Sequence, residues 1–321
     1  MGSYQGMDYV NRRYNSVGLS FDVLNYYGDL APLPNKLSTD FSLTRPGVGI
    51  YFTRKYGSFY SLQASFMYGT IKGSDHESAD RTDSQNGVFR YQRNLSFRNR
   101  VKELAVIGVF DLFKNHHTYV YRADWTPYAF FGIAIFHHNP QAKVPAADLN
   151  GNALSQAGEW VSLQPLGTEG QQISLKPGDA NHKIKPYSRL QAAIPLGAGV
   201  RVRLKSNFDI SGEFGFRYVF TDYLDDVSRN YVDLGAFGNN ELARAMSYRT
   251  NEVVAPDYAY ASAYDGKTYN VLRGYGHEQE ASIRGNKKDR DLYTVMTIRV
   301  GYILKPKPAS AKKKYTKPKS R

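Results

Sequence analysis

The chain has 321 residues, no cysteine and a formal net charge of +13. Its length permits one barrel or one to two soluble domains. The missing thiols exclude a disulfide scaffold and thiolate metal sites, and no apolar run approaches the roughly 20 residues of a membrane helix.

Those exclusions leave open a membrane barrel, whose strands are short and alternate. Aromatics make up 14% of the chain, with 26 Tyr and 17 Phe. Tyr suits a chain with two membrane interfaces, because its ring is apolar and its hydroxyl wants water, although soluble β proteins are also rich in it. Met1, Gly2 and Ser3 are not a basic region followed by an apolar run. The expectation is that a signal peptide has been removed from this version, and that residues 1–13 lie in the periplasm of a Gram-negative bacterium.

Eight strand candidates follow in order. The first spans 16–27, with Val17, Leu19, Phe21 and Val23 on one face and Gly18, Ser20 and Asp22 on the other. The second spans 41–53, with Val48, Ile50 and Phe52 outward and Pro46 weakening its middle. The third, 59–71, alternates Tyr60, Leu62, Ala64 and Phe66 with Ser61, Gln63 and Ser65. The fourth, 95–112, turns Leu104, Val106, Phe110 and Leu112 out and Val101, Glu103 and Asp111 in. The fifth, 126–136, is nearly continuous in hydrophobicity, so its facing stays ambiguous. The sixth, 187–204, sets Val200, Val202 and Leu204 against Arg201 and Arg203.

The last two strands are the plainest. Phe208, Ile210, Phe214, Phe216, Tyr218 and Phe220 share one parity, and Asp209, Ser211, Glu213, Gly215 and Arg217 share the other. Thr294, Met296, Ile298, Val300, Tyr302 and Leu304 repeat the pattern around Thr297, Arg299 and Gly301. Successive strand residues point to opposite faces. In a soluble sandwich the charged face would look at water; in an outer-membrane barrel the apolar face meets lipid and the charges line the lumen.

The connections favour the barrel. Short links at 54–58, 113–125 and 205–207 alternate with long ones at 28–40, 72–94, 137–186 and 224–290. Periplasmic turns are short and extracellular loops long in bacterial barrels, whereas a sandwich has no reason to sort its loops. The expected fold is therefore all-β: an eight-stranded antiparallel transmembrane β-barrel over 14–304, with long extracellular loops. A basic tail at 305–321, disordered or extended, follows in the periplasm. A short helix is expected near 239–248 in the longest loop. The tail holds seven Lys and one Arg without an acid, and removing those eight charges leaves about +5. Such a segment cannot fold alone; it could stay solvated or bind nucleic acid, anionic lipid or an acidic protein face.

Glu103, Asp111, Glu213, Arg217 and Arg299 are expected inside the lumen, where buried charges need partners. An eight-stranded barrel is just wide enough to be filled by side chains, so the expectation is a salt-bridge network that plugs it, with Arg217 compensating a carboxylate such as Glu213. A conducting pore is the alternative. The pairs His116–His117 and His137–His138 point to opposite faces of a strand and opposite sides of the membrane, which opposes chelation. Asp148, Asn150, Asn152 and Glu159 have the spacing of a calcium loop, but Ala153 stands where the sharp turn wants Gly. A polar loop tip is the plainer reading, and no metal or cofactor is expected. Ser188 and His182 lack a third partner and no G-x-S-x-G is present, so no enzyme is expected. The glycines at 47, 49, 197, 199, 212 and 215 match no phosphate loop; tight curvature, or large side chains crossing the lumen, explains them better.

Five segments in order resemble the PorG-type outer-membrane barrels of the Bacteroidetes type IX protein secretion system: YYGDL at 26–30, RNLSF at 93–97, WVSLQPLGTEGQ at 160–171, TDYLDDVS at 221–228, and IRGN followed by DLY within 283–293. The resemblance implies a small barrel that accompanies a periplasmic ring of PorK- and PorN-like proteins, one of them a lipoprotein, and is not itself the conducting channel. The segments 146–158 and 236–278 look like insertions, and the Lys-rich tail is longer than the pattern. On this reading Arg54, Lys55, Tyr56, Lys114, Lys205, Lys305, Lys312, Lys313 and Lys314 form the periplasmic partner surface, outer-membrane lipids surround the wall, and no nucleic acid is bound. The competing readings are a structural or adhesive barrel acting through its extracellular loops, and an outer-membrane lipid-modifying enzyme.

Overall fold

The computed structural model describes residues 13–30 and 43–304, apart from 117, 280 and 289. Eight long strands form a wall: β1 (Tyr14–Tyr27), β2 (Arg45–Lys55), β3 (Tyr60–Ser74), β4 (Ser96–Asp111), β5 (Trp125–His137), β6 (Leu190–Arg203), β7 (Phe208–Val219) and β8 (Leu292–Leu304). Each pairs antiparallel with its neighbours in sequence. The circle closes where β1 meets β8, from Asn15 opposite Leu304 to Tyr27 opposite Leu292. Closure leaves no unpaired edge, which is what a β-structure in lipid requires.

The parity of each strand sets its facing. Phe21, Ile50, Phe131, Ile133, Phe216 and Ile298 stand exposed on the outer wall, whereas Ser20, Asp22, Glu103, Ser211, Arg217 and Arg299 are buried inside. In water this exposed apolar surface would be untenable on a monomer; in a bilayer it is the lipid belt. Exposed Phe113, Tyr121, Trp125 and Tyr302 mark the short-turn end, and Tyr68, Tyr218 and Phe220 the other, as interfacial girdles. The strands run 11 to 16 residues, longer than the roughly 9–11 needed to cross. The surplus of β3 and β4 carries their pairing up to Ser74 opposite Ser96.

Two strands differ from expectation. Residue 41 lies outside the described residues and β2 begins at Arg45, so Pro46 opens the strand instead of interrupting it. It pairs with Val23 of β1, but the β2–β3 ladder starts only at Gly47 opposite Gly69, so Pro46 stands at the strand's end where a missing N–H is tolerated. The facing of β5 is resolved: Tyr128, Phe130, Ala134 and Phe136 are buried in the lumen, and Phe131, Ile133 and Ile135 face lipid.

The long connections fold over one mouth as a cap with its own cores. Tyr231, Val232, Leu234, Ala243, Tyr248, Val271 and Tyr275 pack together, and Ala142, Val144, Leu163 and Met246 form a smaller cluster. A hairpin of Tyr258–Ala261 and Thr268–Val271 belongs to this layer. So does the helix Glu241–Ser247, whose Asn240 side chain caps the Ala243 N–H. Short strands Pro140–Lys143 and Trp160–Ser162 extend the wall above β4.

Candidate functional site

The lumen is filled by ion pairs stacked along its length. At the short-turn end, Arg122 reaches in from the β4–β5 connection, pairs with Asp209 at 2.5 Å and donates to the carbonyls of Tyr119, Ser206 and Phe208. Above it Asp111 accepts from Lys55 and, at 3.2 Å, from Arg201. Arg201 lies over the Tyr128 ring. Next, Glu213 accepts from Arg299 at 2.8 Å and from the Tyr128 hydroxyl at 2.7 Å. Asp22 beside it accepts from Thr297 and Ser20. Glu103 then takes both oxygens to Arg217 Nε, at 3.0 and 3.1 Å, and accepts from Tyr293 at 2.6 Å. Each of these buried charges thus has an opposite partner except Asp22, which two hydroxyls satisfy, and pairing and hydrogen bonding are the conditions under which burial is tolerable. Cavities of about 30 and 20 Å³ remain between these layers, each with room for about one or two water molecules. Phe130 lies along the inner wall over its cross-strand partner Gly197 and over Gly215 of the next strand, where a Cβ would meet its Cζ at 2.6 and 2.9 Å, so these glycines leave room for the ring.

The five expected lumen residues all point inward, but in different pairs from those named. Arg217 is not the counter-ion of Glu213: four residues along one strand separate them by roughly 13 Å, and Arg217 instead crosses to Glu103 on β4, leaving Glu213 to Arg299. Lys55 is a second correction. It is 3% exposed and buried against Asp111, because it shares the inward parity of Tyr51 and Thr53. It therefore belongs to the lumen floor and not to a partner surface. Arg54, Tyr56, Lys114 and Lys205 are exposed at the short-turn end. Arg54 lies over the Tyr56 ring, which stacks on Tyr60 at 5.8 Å. Lys305, Lys312, Lys313 and Lys314 lie outside the described residues. Arg201 and Asp209 are legible as inward residues from alternation alone; Lys55, read as part of a turn, and Arg122, in a turn, carry no such signal.

The residues of the five family-like segments meet in one place, a polar knot on the long-loop mouth. Tyr26 donates toward Asp225 and Asp291, each 2.7 Å away. A Cβ on Gly28 would lie 2.0 Å from Asp291 Oδ1, so the segment needs glycine there. Arg93 forms two 2.8 Å bonds to Asp75 and donates to the carbonyls of Asp29 and Arg284. The following Asn94 ends the helix Gly87–Arg93 in the left-handed region at φ 54°, which Asn tolerates. Arg284 donates to Glu169 at 3.1 Å and to the Asp226 carbonyl at 2.7 Å. Glu169 also accepts the N–H groups of Ser228 and Arg229. Asp226, at φ 71°, is held by Thr168 and Tyr187; these bonds offset the strain of a left-handed non-glycine residue. Burial outweighs the Arg284 charge and pushes the Asp226 carboxyl up to about 6.

The remaining candidates do not converge. Asp148 accepts from the N–H groups of Asn150 and Asn152 and from the Asn152 amide. Its oxygens thus build the tip of a hairpin whose Glu159 carbonyl pairs with Val144. Among the described residues no group of three or more His, Cys, Asp and Glu side chains converges on a metal position. His138, just past β5, is buried between Asn99 and the Ser188 carbonyl and pushed down to about 4, chiefly by burial. His116 lies at the opposite end, and His117 outside the described residues. His182 bonds the Leu175 carbonyl and Ser188 the Leu190 carbonyl, so they do not form a catalytic pair.

A closed meander with an apolar outer belt and a polar, self-paired interior defines a small outer-membrane β-barrel. A family model described as a domain of unknown function, DUF6089, matches residues 5–153. No curated protein matches the chain. Solved structures similar to it include Neisserial surface protein A (7% identity, covering 90% of this chain and 96% of that one, TM-score 0.36). Others are OprG of Pseudomonas aeruginosa (7%, 91% and 96%, 0.35) and Ail of Yersinia pestis (8%, 91% and 99%, 0.34).

Proposed function

We propose that this barrel is a non-enzymatic component of a Bacteroidetes-type type IX secretion machinery, and that it anchors or positions a periplasmic ring of PorK- and PorN-like proteins. The observation that carries the reading is the sealed lumen. A bore filled by its own ion pairs leaves the protein a wall and two faces to act with, and no pore. The short-turn face offers exposed Arg54, Tyr56, Lys114 and Lys205, which would attract an acidic partner over the roughly 8 Å range of physiological screening. The five segments that resemble the PorG-type barrels supply the name of the partner. Deleting the residues after Pro308 leaves the wall intact, since β8 ends at Leu304, and is expected to weaken co-purification with the ring lipoprotein. Photo-cross-linkers at positions 56 and 315 are expected to capture the same lipoprotein. If both positions capture nothing periplasmic while positions within 236–278 capture an extracellular protein, the ring assignment fails. The reading of a structural or adhesive barrel would then replace it; that alternative draws on the packed extracellular cap.

A further inference from the structure

A cleft of about 990 Å³ opens between the cap and the rim of the wall where β1 ends and β8 begins. Its lining is strongly cationic. Arg90, Arg93, Arg229, Lys287, Lys288 and Arg290 contribute to it, against the single described carboxylate of Asp29. Arg93 and Arg90 are both committed to Asp75, and Asp29 to the Asn286 N–H, while Asp289 lies outside the described residues. Neither Lys287 nor Lys288 forms an ion pair with another described residue. The Nε of Arg229 is buried without a hydrogen-bond partner among the described residues. A buried guanidinium donor with nothing to donate to is costly unless an acceptor arrives from outside.

The cleft also borders the lipid. Tyr27 and Leu292, the facing ends of β1 and β8, and Ile283, 47% exposed, are part of its lining. Arg290 donates to the hydroxyl of Tyr218 at 2.5 Å and stands over its ring, and Tyr218 is one of the lipid-facing girdle residues. We infer that this cleft binds the phosphorylated headgroup of a lipid in the outer leaflet. Lys287, Lys288, Arg290 and Arg229 would hold the phosphate, and the apolar edge of Tyr27, Ile283 and Leu292 would lie against the first acyl carbons. Guanidinium and ammonium groups together recognise a phosphate through charge-assisted hydrogen bonds, and basic pockets at a membrane surface select charged headgroups in this way. A soluble anion would need the cations but not the apolar edge. This site lies on the face opposite the proposed ring contact and stands independently of it.

The test uses the full chain refolded in nanodiscs, with bisphosphorylated lipid A as probe, dephosphorylated lipid A as control and inorganic phosphate as competitor. The triple variant Lys287→Gln, Lys288→Gln, Arg290→Gln is compared with wild type and with Lys183→Gln, Lys185→Gln, two exposed cap residues outside the cleft lining. Native mass spectrometry should show lipid A retained by wild type and by this control variant, and bound roughly tenfold or more weakly by the triple variant. Resistance of each unheated barrel to SDS reports its folding, so a misfolded triple variant would be replaced by Arg290→Gln alone, expected to lose part of the affinity. Equal retention of dephosphorylated lipid A, or unchanged binding by a folded variant, would overturn the inference. Displacement of the signal by millimolar inorganic phosphate would assign the cleft to a soluble anion and overturn the lipid source.

Discussion

The hydroxyl of Tyr26, near the outer end of β1, lies 2.7 Å from Asp291 Oδ1, one residue before β8. The contact ties the first strand to the last above the closing seam. Asp225 Oδ2 approaches the same hydroxyl at the same distance. A phenol has one hydrogen to donate, so only one of the two carboxylates can accept it. The other carboxyl must carry a proton of its own and donate it to the phenol oxygen. Burial raises both Asp225 and Asp291 well above the usual carboxylate range, and at Asp225 the charge of Asp291 adds to it.

This makes the part of the cap around Asp225 and Asp291 more stable in mild acid than at neutrality. A carboxyl whose folded pKa is raised contributes stability that is fully present below its unfolded value, near 3.8, and lost as pH rises through the folded one. For Asp226 the window runs from 3.8 to about 6; for Asp225 and Asp291 it begins at 3.8 and extends upward. Hydrogen exchange over 222–230, corrected for its intrinsic pH dependence, should show weaker protection at pH 8 than at pH 4.5. Asp225→Asn should flatten that difference, because the amide donates without a proton to lose. A cap that tightens from pH 4.5 to 8 would contradict the shared-proton geometry.

Arg217 and Glu103 allow a test of the plug by double substitution. Arg217→Leu leaves Glu103 buried with only the Tyr293 hydroxyl, at an expected cost on the order of 3–5 kcal/mol. The pair Arg217→Leu, Glu103→Leu should recover most of it, since an apolar pair needs no compensation. Equilibrium unfolding in urea from lipid vesicles reads both. Glu213 should not share in the effect, because Arg299 remains with it. A double variant as unstable as the single one would mean that the pair does more than neutralise itself.

Phe214 reports the outer face. It points outward from β7 and packs edge-on against Phe216 at 5.1 Å. Phe214→Arg should lose about 2–4 kcal/mol if the residue lies near the bilayer midplane, with slower insertion into vesicles. Spin labels at 214 and 216 should be quenched by lipid-soluble oxygen more than by a water-soluble nickel chelate. The opposite accessibility would invert the facing of the strand.

The wall was legible in the sequence because the bilayer imposes one rule on every strand. Lipid outside and a narrow lumen inside force a two-residue alternation, and Phe208, Phe214 and Ile298 stand exposed while Glu103 and Arg299 are buried. Only β5 resisted, since Ala134 faces the lumen without a polar mark. The partners were not legible. Parity says that Arg217 points inward but not which strand it reaches across the bore, so Glu103 and Glu213 were equivalent until strand register placed them. Lys55 shows the same limit: a basic residue beside a turn reads as a rim residue until register puts it over Asp111. The knot around Tyr26, Asp226, Arg284 and Asp291 joins segments up to 265 positions apart. Each short segment carried only the trace of what it packs against, as in the glycine at 28 and the left-handed Asn94.

Lys55 and Lys205 separate the lumen floor from the face below it. Lys55 is shared by Asp111 with Arg201 inside the wall, whereas Lys205 is exposed in the β6–β7 turn. Lys55→Met should destabilise the barrel only moderately, because Asp111 keeps Arg201, and the expected loss is on the order of 1.5–3 kcal/mol, as for one lost hydrogen bond to a charged group. Lys205→Glu and Lys114→Glu should leave the unfolding midpoint within about 0.5 kcal/mol, as surface substitutions do. If these two faces have separate roles, the pattern reverses in binding: Lys114→Glu with Lys205→Glu should reduce capture of the periplasmic ring lipoprotein, and Lys55→Met, once folded, should not. Measuring both quantities on the same preparations decides the matter. A folded Lys55→Met protein that loses the partner while the double reversal retains it would return Lys55 to the contact surface and remove Lys114 and Lys205 from it.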